Sequence, residues 1–147
     1  LYGLNIRDHA MHLYLFCLPD IFGKDSVLDF ADEGYEHDLV HKAFDVKSAG
    51  NELSIIIGGR AVHSPFPQVG GFLKLPKAED VKKITETLKK IRQSAIEFVD
   101  IFYKAKFKLD TETTYIALVN DRFSYLSGHL MTSDGVCIAQ RNFRDHL

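Results

Sequence analysis

Apolar residues crowd positions 4–18 so that Ile6, Ala10, Leu13, Phe16 and Cys17 fall on one helical stripe, a spacing that predicts a first helix. Pro19 and the Phe22-Gly23 pair should end it. Residues 24–34 are polar and read as a loop carrying one short turn. A second helix is predicted over residues 35–47, with Leu39, Val40, Ala43, Phe44 and Val46 as its apolar side. Ser48-Ala49-Gly50-Asn51 either breaks this helix or is passed over as it resumes through residues 52–57. The β-branched Ile55, Ile56 and Ile57 suit a short strand equally well, and the pattern leaves the two open.

Residues 58–76 are the least regular, with two Gly-Gly pairs and three of the four prolines. The strongest periodicity follows. Residues 77–103 carry Val81, Ile84, Leu88, Ile91, Ala95, Phe98 and Phe102 in steps of three and four. Lys82, Lys83, Glu86, Lys89, Lys90, Arg92 and Gln93 lie on the outer face. Pro76 precedes this long amphipathic helix, and Glu79 and Asp80 suit the positive end of its dipole. After Asp110 the pattern alternates, and residues 113–119, 123–127, 129–132 and 136–140 read as short strands. Asn120-Asp121 and Ser133-Asp134-Gly135 supply turns between them. The expected fold is α+β: about three helices, one of them long, then a small antiparallel meander, in one domain over residues 1–147.

Composition narrows the class. With 46% hydrophobic and 26% charged residues, the chain has the make-up of an ordinary soluble globular domain. A net charge of -2, with the basic residues dispersed, gives no electrostatic case for nucleic acid or an anionic membrane. No run of 18 apolar residues predicts a membrane span, and the first residues show no signal-peptide pattern. Cys17 and Cys137 are too few for a disulfide framework and neither lies in a C-x-x-C pair, so both read as reduced, mostly buried thiols of a cytoplasmic protein. The opening residues already have the character of a helix interior, which suggests a piece of a longer chain.

Three groups of residues carry chemistry. His37-Asp38-Leu39-Val40-His41 is one methylene short of the zinc motif H-E-x-x-H, because Asp38 stands where the glutamate base would be. No downstream pattern offers a third ligand, so two solvated histidines are the expected reading. His9 and His12 are three apart and share a helix surface, with Asp8 the adjacent carboxylate; a core-edge histidine and a solvated one account for them. Finally, two glycine pairs frame the segment from Gly58 to Phe72, which presents Arg60 and His63. No phosphate-loop spacing occurs there. Glycine pairs permit close backbone approach and prolines stiffen the chain between them, so the loop suits either a cofactor or partner contact or a plain connector.

The string GGRAVHSPFPQVGGF resembles the G-G-[RK]-x-x-H-P…GGF segment in the large (alpha) subunit of nickel–iron hydrogenases, and most of all its cytosolic bidirectional branch, with the archaeal sulfhydrogenases and the factor-F420-reducing enzymes. Asp8-His9-Ala10-Met11-His12-Leu13-Tyr14 is similar to that family's S-H-A-L-H-x-Y helix, and Leu18-Pro19-Asp20 and Gly23 follow in order. Residues 47–52 resemble its K-x-x-G-N-x stretch. Ser64 departs from the usual proline after the loop histidine.

The resemblance implies an internal fragment of a nickel-dependent hydrogenase large subunit, whose parent interconverts H2 with protons and electrons. That family holds its nickel–iron centre on two C-x-x-C pairs, both absent here, so the chain alone is expected to be non-catalytic and to hold no cofactor. By resemblance, His63 lies near the proximal iron–sulfur cluster of a small subunit, and Arg60 is the basic position of the same loop. The implied partners are the remainder of the large subunit and an iron–sulfur small subunit, with self-association expected of the isolated piece. The alternative is a non-catalytic interaction module with a hydrogenase-like fold.

Overall fold

The first predicted helix is continuous but not uniform. In the computed structural model, which describes residues 1–106 and 109–146, α1 (Tyr2–His9) widens into a π-helical stretch (Ala10–Cys17) and narrows again as α2 (Leu18–Phe22). The widened turns run up to Pro19, which has no N–H to give the carbonyl of Leu15. Wider winding changes which residues face inward. Ala10, Tyr14, Leu15 and Leu18 are buried, whereas Phe16, placed on the inner stripe by a 3.6-residue period, is 67% exposed. The helix ends where expected: Gly23 adopts the left-handed conformation (φ 67°), and the Lys24 N–H reaches back to the Pro19 carbonyl at 2.9 Å.

The loop that follows contains the one short turn expected of it, a 3₁₀ segment (Val27–Asp29) whose preceding Ser26 hydroxyl accepts from the Leu28 N–H at 3.2 Å. The second predicted helix passes straight through Ser48-Ala49-Gly50-Asn51 to form α3 (Tyr35–Gly58), and Ile55, Ile56 and Ile57 are helical. Its buried residues include Leu39, Ala43, Val46, Gly50, Ser54 and Gly58, one stripe at helical spacing. That stripe turns from aliphatic to small residues at Gly50, so the second half of the helix shows no apolar pattern in the sequence.

The long helix α4 (Ala78–Lys104) lies within a residue of its predicted limits. Ile84 and Phe98 are buried, and the Phe98 ring stacks on Tyr14 with centroids 4.0 Å apart and planes 12° from parallel. Leu18, Leu39 and Phe98 are the largest fully buried side chains of the core. Lys42 of α3 meets Glu97 of α4 at 2.7 Å, and Lys83 of α4 meets Glu52 of α3 at 3.2 Å. Between α3 and α4, a two-residue hairpin absent from the predicted elements pairs β1 (Pro67–Gln68) with β2 (Gly71–Phe72).

These elements make up one compact unit, Leu1–Lys106; Phe107–Leu147 form a second. In the second, β3 (Ile116–Val119), β4 (His129–Thr132) and β5 (Cys137–Ala139) form the expected antiparallel meander in the order β3-β4-β5. Gly135 at φ 96° and the Thr132 hydroxyl, accepting from Val136 N–H at 3.0 Å, close the predicted Ser133-Asp134-Gly135 turn. The strand expected over residues 123–127 does not form. The Ser124 hydroxyl accepts from the N–H groups of Leu126 and Ser127, and Asn120 donates to the Ser127 carbonyl, so local side-chain bonds replace ladder bonds. A 3₁₀ segment (Gln140–His146) follows β5. No described residue of this unit is buried. The α+β class read from the sequence is therefore the fold's class, with the first helix divided into α1, a π-helical stretch and α2.

Phe98→Ala should remove the ring that Tyr14 stacks on and cost about 3–5 kcal/mol of stability in chemical denaturation, as expected for deleting a fully buried aromatic side chain.

Candidate functional site

The glycine-framed loop leaves the C-terminus of α3 and lies against α1. Gly59 ends α3 in the left-handed conformation (φ 87°), its N–H bonded to the Ile55 carbonyl at 2.8 Å. The Phe66 N–H returns to the Gly58 carbonyl at 3.1 Å, and the Leu73 N–H to the Phe66 carbonyl at 2.8 Å. A Cβ at Gly59 would come within 2.7 Å of the Phe66 ring, so the second glycine of the pair makes room for that ring. The Lys74 ammonium sits 5.6 Å from the Phe66 ring centroid.

Inside this frame, residues 60–64 form a bend held by two side-chain-to-backbone bonds. Arg60 Nε donates to the Val62 carbonyl at 3.0 Å and the Ser64 hydroxyl donates to the Arg60 carbonyl at 3.4 Å. Ser64, the departure from the family proline, thus closes the turn through its hydroxyl and packs on Gly58. His63 is the one non-glycine residue with positive φ (53°) among the described residues, a backbone state that costs energy and is found where neighbours hold it. The structure therefore brings Arg60 and His63 together in one loop. Their roles differ: the Arg60 side chain is spent on its own loop, whereas the His63 imidazole is exposed and makes no hydrogen bond or ion pair among the described residues.

The anchor of this loop is Arg7, a residue that no sequence motif singles out. Its guanidinium Nη1 donates to the Ala61 carbonyl at 2.7 Å, and its Nε and Nη2 both engage Asp8 Oδ1, at 2.8 and 2.7 Å. Arg7 can reach because α1 and α3 nearly touch. A Cβ at Gly50 would lie 2.6 Å from the Arg7 nitrogen, and one at Gly3 would lie 2.9 Å from the Gly50 carbonyl oxygen. The recurrence of small residues at 50, 54 and 58 was the signal available for this contact. Beside it, Tyr2, Leu53, Ile57, Ser64, Pro67 and Phe72 help line a mainly apolar cleft of about 210 Å³.

The other histidines lie elsewhere. His9 and His12 are both exposed, on α1 and the π-helical stretch. His37 and His41 occupy the first turns of α3, their Nε2 atoms 3.1 Å apart and their ring centroids 4.4 Å apart. Cys17 is half-buried, but Cys137 is exposed on β5, against the expectation of two mostly buried thiols. The two belong to different units, and no group of three or more His, Cys, Asp or Glu among the described residues is placed to hold a metal. The residues present thus do not fit a nickel–iron centre. Among the described residues, no helix is long and apolar enough to cross a membrane.

Burial beside Phe98 raises the Tyr14 phenol above its ordinary pKa. Glu36 is held below the usual carboxylate range by the Ala31 N–H and by Lys24.

No family model matches the chain. The sulfhydrogenase 2 alpha subunit of Pyrococcus furiosus is 37% identical over 102 residues, covering 69% of this chain and 24% of that protein. The sulfhydrogenase 1 alpha subunit of the same organism is 30% identical over 149 residues, covering 99% of this chain and 34% of that protein. The chain thus spans between a quarter and about a third of the length of these relatives. A crystal structure of an NAD+-reducing [NiFe]-hydrogenase in the H2-reduced state shares the fold, with a TM-score of 0.78 over 99% of this chain and 37% of that one at 19% identity. These matches bear out the resemblance read from the sequence: the chain is related to hydrogenase large (alpha) subunits and corresponds to part of one.

Replacing Arg7 by alanine should free the Ala61 carbonyl. Loss of this charge-assisted bond is expected to cost about 1.5–3 kcal/mol. Amide exchange across residues 60–66 should rise, while exchange in the middle of α4 keeps its rate.

Proposed function

We propose, from this relation to hydrogenase alpha subunits, that the chain is the partial large-subunit region that carries the electron-exit loop of a nickel-dependent hydrogenase. The observation that carries this reading is His63: an exposed imidazole at positive φ, on a loop held by glycines, Ser64 and Arg7, with its hydrogen-bonding atoms uncommitted. An imidazole so presented suits donation to a sulfur of an iron–sulfur cluster in a small subunit, where such a bond tunes the cluster's potential. Arg60 holds the loop's own backbone and through it the orientation of His63. The parent interconverts H2 with protons and electrons; this chain, lacking the cysteine pairs, supplies scaffold and electron exit and is inactive alone.

The partners in this reading are the remainder of the large subunit and the iron–sulfur small subunit, in a cytoplasmic complex. Exposed apolar side chains support it: Leu28 and Tyr103 are each 89% exposed in the first unit, and Phe123 is 76% exposed in the second. The same surfaces favour self-association of the isolated chain, to be read as concentration-dependent mass in light scattering.

The coding sequence on either side gives the first test. C-x-x-C pairs encoded upstream and downstream support a working hydrogenase. A start and a stop codon immediately flanking these residues would leave the non-catalytic interaction module instead. The second test is His63→Ala in the assembled parent complex. The midpoint potential of the nearest cluster, followed by redox titration with electron paramagnetic resonance, should shift while the subunits stay associated. An unchanged potential would remove His63 from the role.

A further inference from the structure

We propose that His37 and His41 form a surface chelate for a divalent first-row transition ion such as Zn2+, Ni2+ or Cu2+, separate from the His63 loop. One turn apart on α3, both rings lean toward each other until their Nε2 atoms are 3.1 Å apart. Two metal–nitrogen bonds of about 2.0–2.1 Å place their nitrogens roughly 2.9 Å apart at a right angle and about 3.4 Å apart at the tetrahedral angle. The observed separation lies between these limits, so binding requires the rings to turn their Nε2 lone pairs toward a shared ion but not to change their spacing. Without a cation, the same approach is a hydrogen bond in which one imidazole donates and the other accepts.

Chelation requires both Nε2 atoms unprotonated, so each ring carries its proton on Nδ1 when the ion is bound. The His37 Nδ1 lies 3.9 Å from Asp38 Oδ1, too far for a hydrogen bond but near enough for the carboxylate to attract a cation held by the ring. Asp38 in the first turn offsets the positive end of the helix for a bound cation, whereas Glu36 is paired with Lys24 at 3.1 Å. Lys42, the nearby cation on α3, is directed away to Glu97 at 2.7 Å.

Among the described residues no third protein ligand completes the site, so the remaining positions belong to water or to a donor from another molecule. Such a site is labile, and it prefers Cu2+ over Ni2+ and Zn2+ while discriminating against Mg2+, which favours oxygen ligands.

The test is isothermal titration of the untagged 147-residue chain with Zn2+, and in parallel with Mg2+. One Zn2+ per chain is expected, with no Mg2+ uptake. His37→Ala and His41→Ala should each abolish this binding event, and Asp38→Asn should weaken it about fivefold through loss of the nearby charge. His9→Ala, His12→Ala and His63→Ala should leave it unchanged. His37→Gln and His41→Gln keep side-chain size and polarity, and circular dichroism on each variant verifies that α3 is intact. Zn2+ should also raise the thermal midpoint of the parent chain and not that of His41→Gln. The proposal is overturned if Zn2+ fails to bind, if binding survives loss of both imidazoles, if it follows His9, His12 or His63, or if Mg2+ binds as well.

Discussion

The close crossing of α1 over α3 is the contact on which the rest of the first unit depends. Gly3, Gly50 and Ser54 meet there with no room for an added Cβ at either glycine. Two helices that approach so nearly bring their backbones within reach of each other's side chains. Arg7 uses that reach to span 54 positions of sequence and bond the Ala61 carbonyl. Had the crossing been padded by leucines, the usual interaxial distance would hold the guanidinium away from the loop. Packing of the helix pair at its small-residue end thus sets the conformation of the loop beside it.

At the opposite end the same helices separate, and larger side chains fill the space. Tyr14 reaches Phe98 from the widened, π-wound turns, while Leu39, Ala43 and Val46 of α3 close over them with Leu18. The extra width before Pro19 decides which aromatic points inward, taking Tyr14 into the core and leaving Phe16 outside. The first unit therefore grades from a small-residue contact beside the loop to an aromatic core under α4. Rigidity under His63 follows from the first, and stability of the helical layer from the second.

The histidines divide by how their surroundings use them. His63 is held by its backbone and leaves its ring uncommitted, as suits a contact with another molecule. His37 and His41 are held by each other, one helical turn apart. The spacing H-x-x-x-H displays that second relation in the sequence, yet ring orientation is a matter of rotamers that spacing does not contain. Asp38 shows the same division. Its position next to His37 is written in the chain, whereas the 3.9 Å between its Oδ1 and the His37 Nδ1 depends on which way both side chains turn.

Local physics gave the sequence authority over what it did determine: the period of α4, the stop at Gly23, the meander of β3 to β5 with its Ser-Asp-Gly turn, and the ordered motifs that tie the chain to hydrogenase alpha subunits. Each rests on neighbours a few positions apart or on a string of residues read as it stands. What needed the tertiary structure was continuity and contact. Helix α3 runs through Ser48-Ala49-Gly50-Asn51 because small residues there are what α1 packs against, and a pattern that counts only apolar residues sees a break. Residues 123–127 lose their strand to local serine and asparagine hydrogen bonds, a competition that alternation does not register. Arg7 carried no signal at all, since its partner carbonyl could be any of those distant in sequence. The loop was legible as a string; what holds it in place was decided only when the two helices met.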